Sequence, residues 1–474
     1  YFNAHTWFDL MTTSRQNEVI NSPPNSRTWV VAFWQWLCRA VVNTFYRRFE
    51  VTGHEKIPHG VGIIFCANHA NALVDPIVIQ AATSKQIHPL ARSGLFKMPL
   101  LKTMLKLLDA VPIYRAQDPG NKTAKNVDSF VKCYEKLGEN KTIMIFPEGV
   151  SHSDPAMRKV NTGAARIALG AKKLNGTSPV LVPVGLTFSR KGFFRGDLLV
   201  QFGEPITIRN EEDGDDRQSV KAITERVKQG IIKITLNPNS WEELKLLTRV
   251  ERFYAQRQSR DESLDLSEQF DALKYIIKAQ RMLLEFEPER VKILISHLRL
   301  YDKLCQCCGI KDYHLSVKYQ PTVLFMYIFR TLSKVFIALP VSLWGKLNNF
   351  IPYQLTGKTF LVFAKTLDQY DTYKILAGMA LFPLFWGVQI ALVNYYLGSG
   401  WAFTYFTSLV ISTSVELQMR GKYLRVLEDF KTFFLFLRKS QVRDYLESKQ
   451  RQLEIELDNL ESIADDLLAE QKQA

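Results

Sequence analysis

Two short segments carry residue types able to move a proton. Asn68-His69-Ala70-Asn71-Ala72-Leu73-Val74-Asp75-Pro76 offers an imidazole and a carboxylate, and Phe146-Pro147-Glu148-Gly149 offers a second carboxylate and a glycine directly after an apolar run. Histidine titrates near neutrality, so it can take a proton from a hydroxyl and return it. A carboxylate against the ring fixes the tautomer and stabilises the imidazolium. His69 and Asp75 are six positions apart, a spacing that does not place two side chains on one face of a regular helix. The intervening residues must therefore turn. Asp-Pro reads as a helix start, with Asp75 as N-cap and Pro76 in the first helical position. On its own the pair also reads as a capped helix beside an ordinary loop histidine.

Further residues are candidates for gripping an anion. Arg115 closes the apolar segment Val111-Pro112-Ile113-Tyr114, and a guanidinium makes forked, charge-assisted bonds to phosphate. A lone arginine reads equally as surface charge. Glu148 is a candidate to hold an arginine or bond a hydroxyl. Gly149 lets backbone N–H groups approach a ligand closely.

The elements that must position these residues alternate along the chain. Residues 62–66, 141–146, 180–186 and 198–202 read as apolar strands, with helical stretches at 128–137 and 163–174 between them. That rhythm predicts an α/β domain over 50–209, a buried sheet flanked by helices. Before it, 1–49 includes an aromatic, amphipathic stretch from Trp29 to Phe45. It reads as a helix on a membrane surface, or as one packed on the soluble domain. After it come an acidic, glycine-broken turn at 210–216 and a charged helical region to 320. Residues 321–415 are expected to be transmembrane. Ile375–Leu397 is an uncharged run long enough to span, Thr322–Trp344 is a second run broken by Arg330, Lys334 and Pro340, and Trp401–Ile411 is too short alone. From 416 to 474 a helical tail places Leu446, Leu453, Leu460 and Leu467 at heptad spacing.

Taken together, the blocks His69/Asp75, Ile113-Tyr114-Arg115, Phe146–Gly149 and Val182–Leu186, with Phe202-Gly-Glu-Pro-Ile206, resemble the glycerolipid acyltransferase family. The resemblance covers about residues 50–209. Five residues separate His69 from Asp75 where the family usually has four, and Val150-Ser151-His152 stands where Thr-Arg is usual. These departures, with Tyr114–Asp118 and the C-terminal apolar pair, resemble the fungal-type glycerol-3-phosphate/dihydroxyacetone phosphate acyltransferases. The resemblance implies that His69 and Asp75 are catalytic and that Arg115, Glu148, Gly149, Ser151 and Lys159 bind substrate, with Arg158 or Lys159 sharing the phosphate. It implies acyl-CoA as co-substrate, glycerol 3-phosphate or dihydroxyacetone phosphate as acceptor, no cofactor and no metal. Backbone donors near the motifs are expected to stabilise the oxyanion. It also implies a multi-pass endoplasmic-reticulum membrane protein whose catalytic domain faces the cytosol, with Asn121, Asn140 and Asn175 unglycosylated. A lysophospholipid acyltransferase is the alternative enzyme, and a non-catalytic lipid-binding scaffold the alternative of another class.

Composition agrees with a core-bearing, basic protein: 474 residues, 46% hydrophobic, net charge +14. Basic charge interleaved with apolar runs points to membrane lipid and an anionic substrate, and no nucleic-acid motif is present. Six cysteines in this length do not form a disulfide scaffold. Cys305-x-Cys307-Cys308 with His314 lacks a second cluster to complete a metal site. The string Gly149-Val-Ser151-His-Ser153 lacks the second glycine of a serine-hydrolase elbow.

Overall fold

A computed structural model describes residues 28–97, 99–114, 126–209, 217–257, 265–316, 321–419 and 422–473. Arg115, the acidic turn at 210–216, and Lys318 and Arg420 beside the apolar runs lie outside the described residues.

Seven strands form one mixed sheet: β1 (Arg48–Thr52), β2 (Ile63–Ala67), β3 (Ile87–Arg92), β4 (Val111–Ile113), β5 (Thr142–Ile145), β6 (Val180–Phe188) and β7 (Asp197–Phe202). Their spatial order is β1-β7-β6-β2-β5-β3-β4. β6, β2, β5, β3 and β4 run parallel, β7 is antiparallel to β6, and β1 pairs parallel with β7. The strands expected from apolar runs are present. β1, β3 and β4 were not read from the sequence because they are short or carry charge and proline.

Both faces of the sheet are covered, so its central strands are apolar throughout. Alternation sends Ile63, Phe65 and Ala67 into one core and Ile64 and Cys66 into the other. The first core meets α1 (Thr28–Phe45) and α2 (Val74–Ala82). The second meets α4 (Asn126–Gly138), α5 (Gly163–Asn175) and α6 (Arg217–Lys233). A short α3 (Pro99–Leu107) leads into β4.

Helix α1 resolves the two readings of the aromatic stretch by face. Cys38, Val42 and Phe45 are buried in the domain core, and Arg39 donates to the Ala81 carbonyl (3.3 Å), so this helix packs on α2. Its other face leaves Trp29 72% and Trp36 61% exposed, with Phe33 beside them. Arg47 and Arg48, which follow it, bond Asp197.

The remaining chain is helical: α7 (Trp241–Arg257), α8 (Leu266–Phe286), α9 (Pro288–Cys308), α10 (Asp312–Ser316), α11 (Pro321–Asn348), α12 (Phe350–Phe363), α13 (Tyr370–Leu397), α14 (Ser399–Met419), α15 (Lys422–Arg438) and α16 (Ser440–Gln473). Two membrane crossings were expected. Among the described residues one helix, Leu367–Leu397, is long and apolar enough to cross. In α16, Leu446, Leu453, Leu457, Leu460, Ala464 and Leu468 are the buried positions, and the helix packs on α8 and α9. Over its last turns the buried stripe passes from the heptad to Ala464 and Leu468, as a straight 3.6-residue helix requires.

Gly185 sits on β6 where a Cβ would lie 2.2 Å from the Ile234 carbonyl oxygen. Gly185→Ala therefore forces the sheet away from the chain after α6. The expected cost is about 1–3 kcal/mol in denaturant unfolding, and an unshifted midpoint would show that this approach is not tight.

Candidate active site

The two proton-moving segments meet because β2 and β5 are adjacent and parallel, with Cys66 opposite Ile145. Chains leaving the same edge of neighbouring parallel strands emerge side by side. Asn68 then clamps its segment to the third strand: Nδ2 donates to the Leu186 carbonyl (3.1 Å), and the Leu186 N–H donates to Oδ1 (2.7 Å).

The turn needed between His69 and Asp75 is made at Ala72, whose φ of 39° lies in the left-handed region. Helix α2 starts at Val74, with Leu73 as its N-cap and no side-chain cap bond. Asp75 is thus a first-turn residue and not the expected N-cap. Its carboxylate turns back instead. Oδ2 accepts from His69 Nδ1 (2.9 Å) and from the Asn71 N–H (2.8 Å). An ionised carboxylate only accepts, so Nδ1 carries the proton and Nε2 keeps the lone pair that a base requires. The Asp75 side chain is 0% exposed against 18% for His69, so the carboxylate is sealed behind the imidazole. The imidazole stacks on Phe146, centroids 4.0 Å apart and planes 15° off parallel.

Glu148 was expected to hold an arginine or a substrate hydroxyl. It is buried, and its carboxylate is taken by protein donors. Oε1 accepts from the His69 N–H (2.9 Å), and Oε2 accepts from the Arg158 backbone N–H (2.8 Å) and from His152 Nε2. The Asp154 N–H donates to His152 Nδ1 (3.2 Å), which places the His152 proton on Nε2, facing Glu148. Burial by itself would raise the Glu148 pKa. The donors from His152, His69 and Arg158 outweigh it and hold the carboxyl below its ordinary 4.5. Glu148 therefore shapes the site from beneath.

Gly149 also serves the turn more than a ligand. Its φ is +78°, its N–H donates to the Phe146 carbonyl (3.0 Å), and a Cβ would crowd Asn161 Nδ2 at 2.9 Å. Ser151 Oγ donates to Asp368 Oδ2 (2.5 Å). Lys159 is exposed, and the Arg158 guanidinium is bonded to Asp154.

Several residues at the site were not read from the sequence. The segment entering α13 lies across the motifs. Asp371, fully buried, accepts from Asn71 Nδ2 (2.7 Å), and the Tyr46 hydroxyl lies 3.5 Å from the same amide. Lys374 Nζ donates to the Gly192 carbonyl (2.6 Å) in the β6–β7 loop. Asp371 is 300 positions from Asn71, so no local pattern could pair them. Lys191 in the same loop is a cation near these carboxylates. His152 was visible only as a departure from a familiar string.

The profile of the family described as Acyltransferase matches residues 48–187. The chain is 21% identical over 497 residues to Glycerol-3-phosphate O-acyltransferase 1 of Saccharomyces cerevisiae, covering 82% of this chain and 64% of that protein. It is 23% identical over 285 residues to Glycerol-3-phosphate O-acyltransferase 2 of the same yeast, covering 55% and 37%. The chain thus spans less than two thirds of the length of either yeast relative. A 1-acyl-sn-glycerol-3-phosphate acyltransferase of Bacillus subtilis is 27% identical over 186 residues, 38% of this chain and 85% of that protein.

The Glu148 network gives a signed pH prediction. Because the folded-state pKa is depressed, its contribution to stability is complete above pH 4.5 and is lost as pH falls through the native value. Melting temperature should fall over that acid window in the wild type. Glu148→Gln should melt lower at neutral pH and show a flatter acid limb, and parallel limbs would remove Glu148 from this role. Asp371→Ala strips the 2.7 Å acceptor from buried Asn71 and is expected to cost about 1–3 kcal/mol. Denaturant titration checks this.

Proposed function

Starting from an acyltransferase-family domain over residues 48–187, we propose that this protein moves a fatty acyl group from acyl-CoA to the sn-1 hydroxyl of glycerol 3-phosphate or dihydroxyacetone phosphate. The observation that carries this reading is the His69–Asp75 pair, with Nδ1 committed to a sealed carboxylate and Nε2 left as the basic nitrogen. His69 Nε2 takes the hydroxyl proton as the oxygen attacks the thioester carbonyl. The tetrahedral intermediate collapses, CoA leaves as thiolate, and the imidazolium returns the proton to it. No covalent enzyme intermediate is involved. Glu148 holds the His69 backbone and Phe146 holds the ring, so the base is oriented before substrate arrives.

The names of the two yeast relatives support glycerol 3-phosphate as acceptor. The Bacillus relative's name supports the same chemistry on an acceptor already acylated once, the second reading. Arg115, Ser151 and Lys159 remain proposed substrate contacts, and no metal or other cofactor enters the proposed step. The exposed tryptophans of α1 and the Leu367–Leu397 helix support a membrane setting. We place the enzyme at the endoplasmic reticulum, in a multi-pass arrangement with the catalytic domain facing the cytosol.

Purified protein assayed with labelled acyl-CoA and a panel of acceptors tests the reading. His69→Ala should lower kcat by about 10²- to 10⁴-fold, with unchanged melting temperature. Equal turnover of His69→Ala and wild type would leave a lipid-binding scaffold in place of an enzyme.

A further inference from the structure

We propose that Lys191 holds the phosphate of the acceptor, in an anion subsite formed between the β6–β7 loop and Trp241 of α7. The identity of the anion rests on the acyl-transfer reading above.

Lys191 lies in the loop joining β6 to β7, and its ammonium sits 5.3 Å from the centroid of the Trp241 ring. Trp241 is itself fixed, since Nε1–H donates to the Ser153 carbonyl at 2.8 Å, within the segment that follows Glu148 and Gly149. The next residue, Gly192, is pinned from the other side. Its φ is +79°, its carbonyl takes the Lys374 bond, and a Cβ there would meet the Tyr370 ring at 3.3 Å. The ammonium and the backbone beside it are therefore placed by two elements distant in sequence, as a binding group requires.

The ammonium has three donors to satisfy. Among the described residues none of them has a hydrogen-bond acceptor or an ion-pair partner, and the ammonium rests over the ring of Trp241. The other cations near the motifs are differently placed: Arg158 is bonded to Asp154, and Lys159 is exposed. Burial lowers the Lys191 pKa from its ordinary 10.5, and the negative charges of Asp75, Asp368, Glu148 and Asp371 pull the other way. Those four carboxylates would repel a phosphate ester brought to His69. Lys191 is a cation among them, whereas Arg158 is bonded to Asp154 and Lys374 to the Gly192 carbonyl, and its unused donors fit phosphate oxygens.

The acceptor fits this cation better than CoA does. In glycerol 3-phosphate, three carbons separate the reacting hydroxyl from the phosphate ester. In acyl-CoA the long pantetheine arm separates the thioester from every phosphate. Lys191 lies over the Trp241 ring, and that ring is bonded to Ser153 in the loop that carries Glu148 and Gly149, so the cation sits beside the motifs, where a small acceptor reaches it.

Two measurements test the proposal. In steady-state assays Lys191→Ala should raise KM for glycerol 3-phosphate by about 10- to 100-fold, the effect of losing a charge-assisted contact. KM for acyl-CoA should be unchanged. Lys191→Arg, which restores a cationic donor, should recover KM to within about fivefold of wild type. Amine acetylation mapped by mass spectrometry on the wild-type protein supplies a readout that needs no turnover. Millimolar glycerol 3-phosphate should protect Lys191, while coenzyme A should not. An unchanged acceptor KM, an equal rise for both substrates, or protection of Lys191 by coenzyme A alone would overturn the proposal. Protection by glycerol 3-phosphate in a wild type that acylates no acceptor would leave the subsite standing and sink the acyl-transfer reading.

Discussion

The arrangement of the site depends on one buried carboxylate. Glu148 binds the backbone of His69, the ring of His152 and the backbone of Arg158, and these partners come from two loops that the sheet delivers side by side. A carboxylate taken out of water must be given donors or it will take up a proton. Here the donors are the loops themselves, so solvating the charge and fixing the loops are the same event. The His152 N–H completes the join by donating to the His69 carbonyl at 3.1 Å. The histidine is thus held at its backbone by one acid and at its ring by another.

Division of labour between the carboxylates follows from where each sits. Asp75 lies behind the imidazole and sets which nitrogen is basic. Glu148 lies beneath the loops and sets where the imidazole is. Asp368 and Asp371 arrive from the far end of the chain and bond Ser151 and Asn71, one residue in each motif. The element bearing them is the helix with the length and composition to cross a bilayer. The entrance to that helix therefore closes the site, through hydrogen bonds that are largely buried. This arrangement also concentrates negative charge around the His69 imidazole, which makes the placement of every nearby cation consequential.

Helix α1 shows how one amphipathic segment can satisfy two surfaces. Cys38, Val42 and Phe45 serve the protein core, while Trp29, Phe33 and Trp36 face outward. A period of 3.6 separates those sets onto different faces. The outward tryptophans and the long apolar helix give the domain two features suited to a bilayer.

The sequence alone determined the residue types and the local elements. The apolar runs announced the central strands, since a strand buried on both faces must be apolar at every position. The motifs announced an imidazole and a carboxylate as candidates for one pair, since few residue types can move a proton near neutrality. It did not determine that Glu148 would be saturated from within, because its donors are mostly backbone N–H groups, which every residue carries and no pattern marks. Nor did it place Asp75 inside the helix, because the left-handed turn at Ala72 shifts the start by two residues. It left Arg115 and Lys159 in the foreground and Lys191 unremarked, because a lone lysine in a loop reads as surface charge until the fold lays it on Trp241. The tertiary structure alone decided that Asp371 would meet Asn71. Their pairing is a matter of where α13 packs, and packing is set by the whole chain.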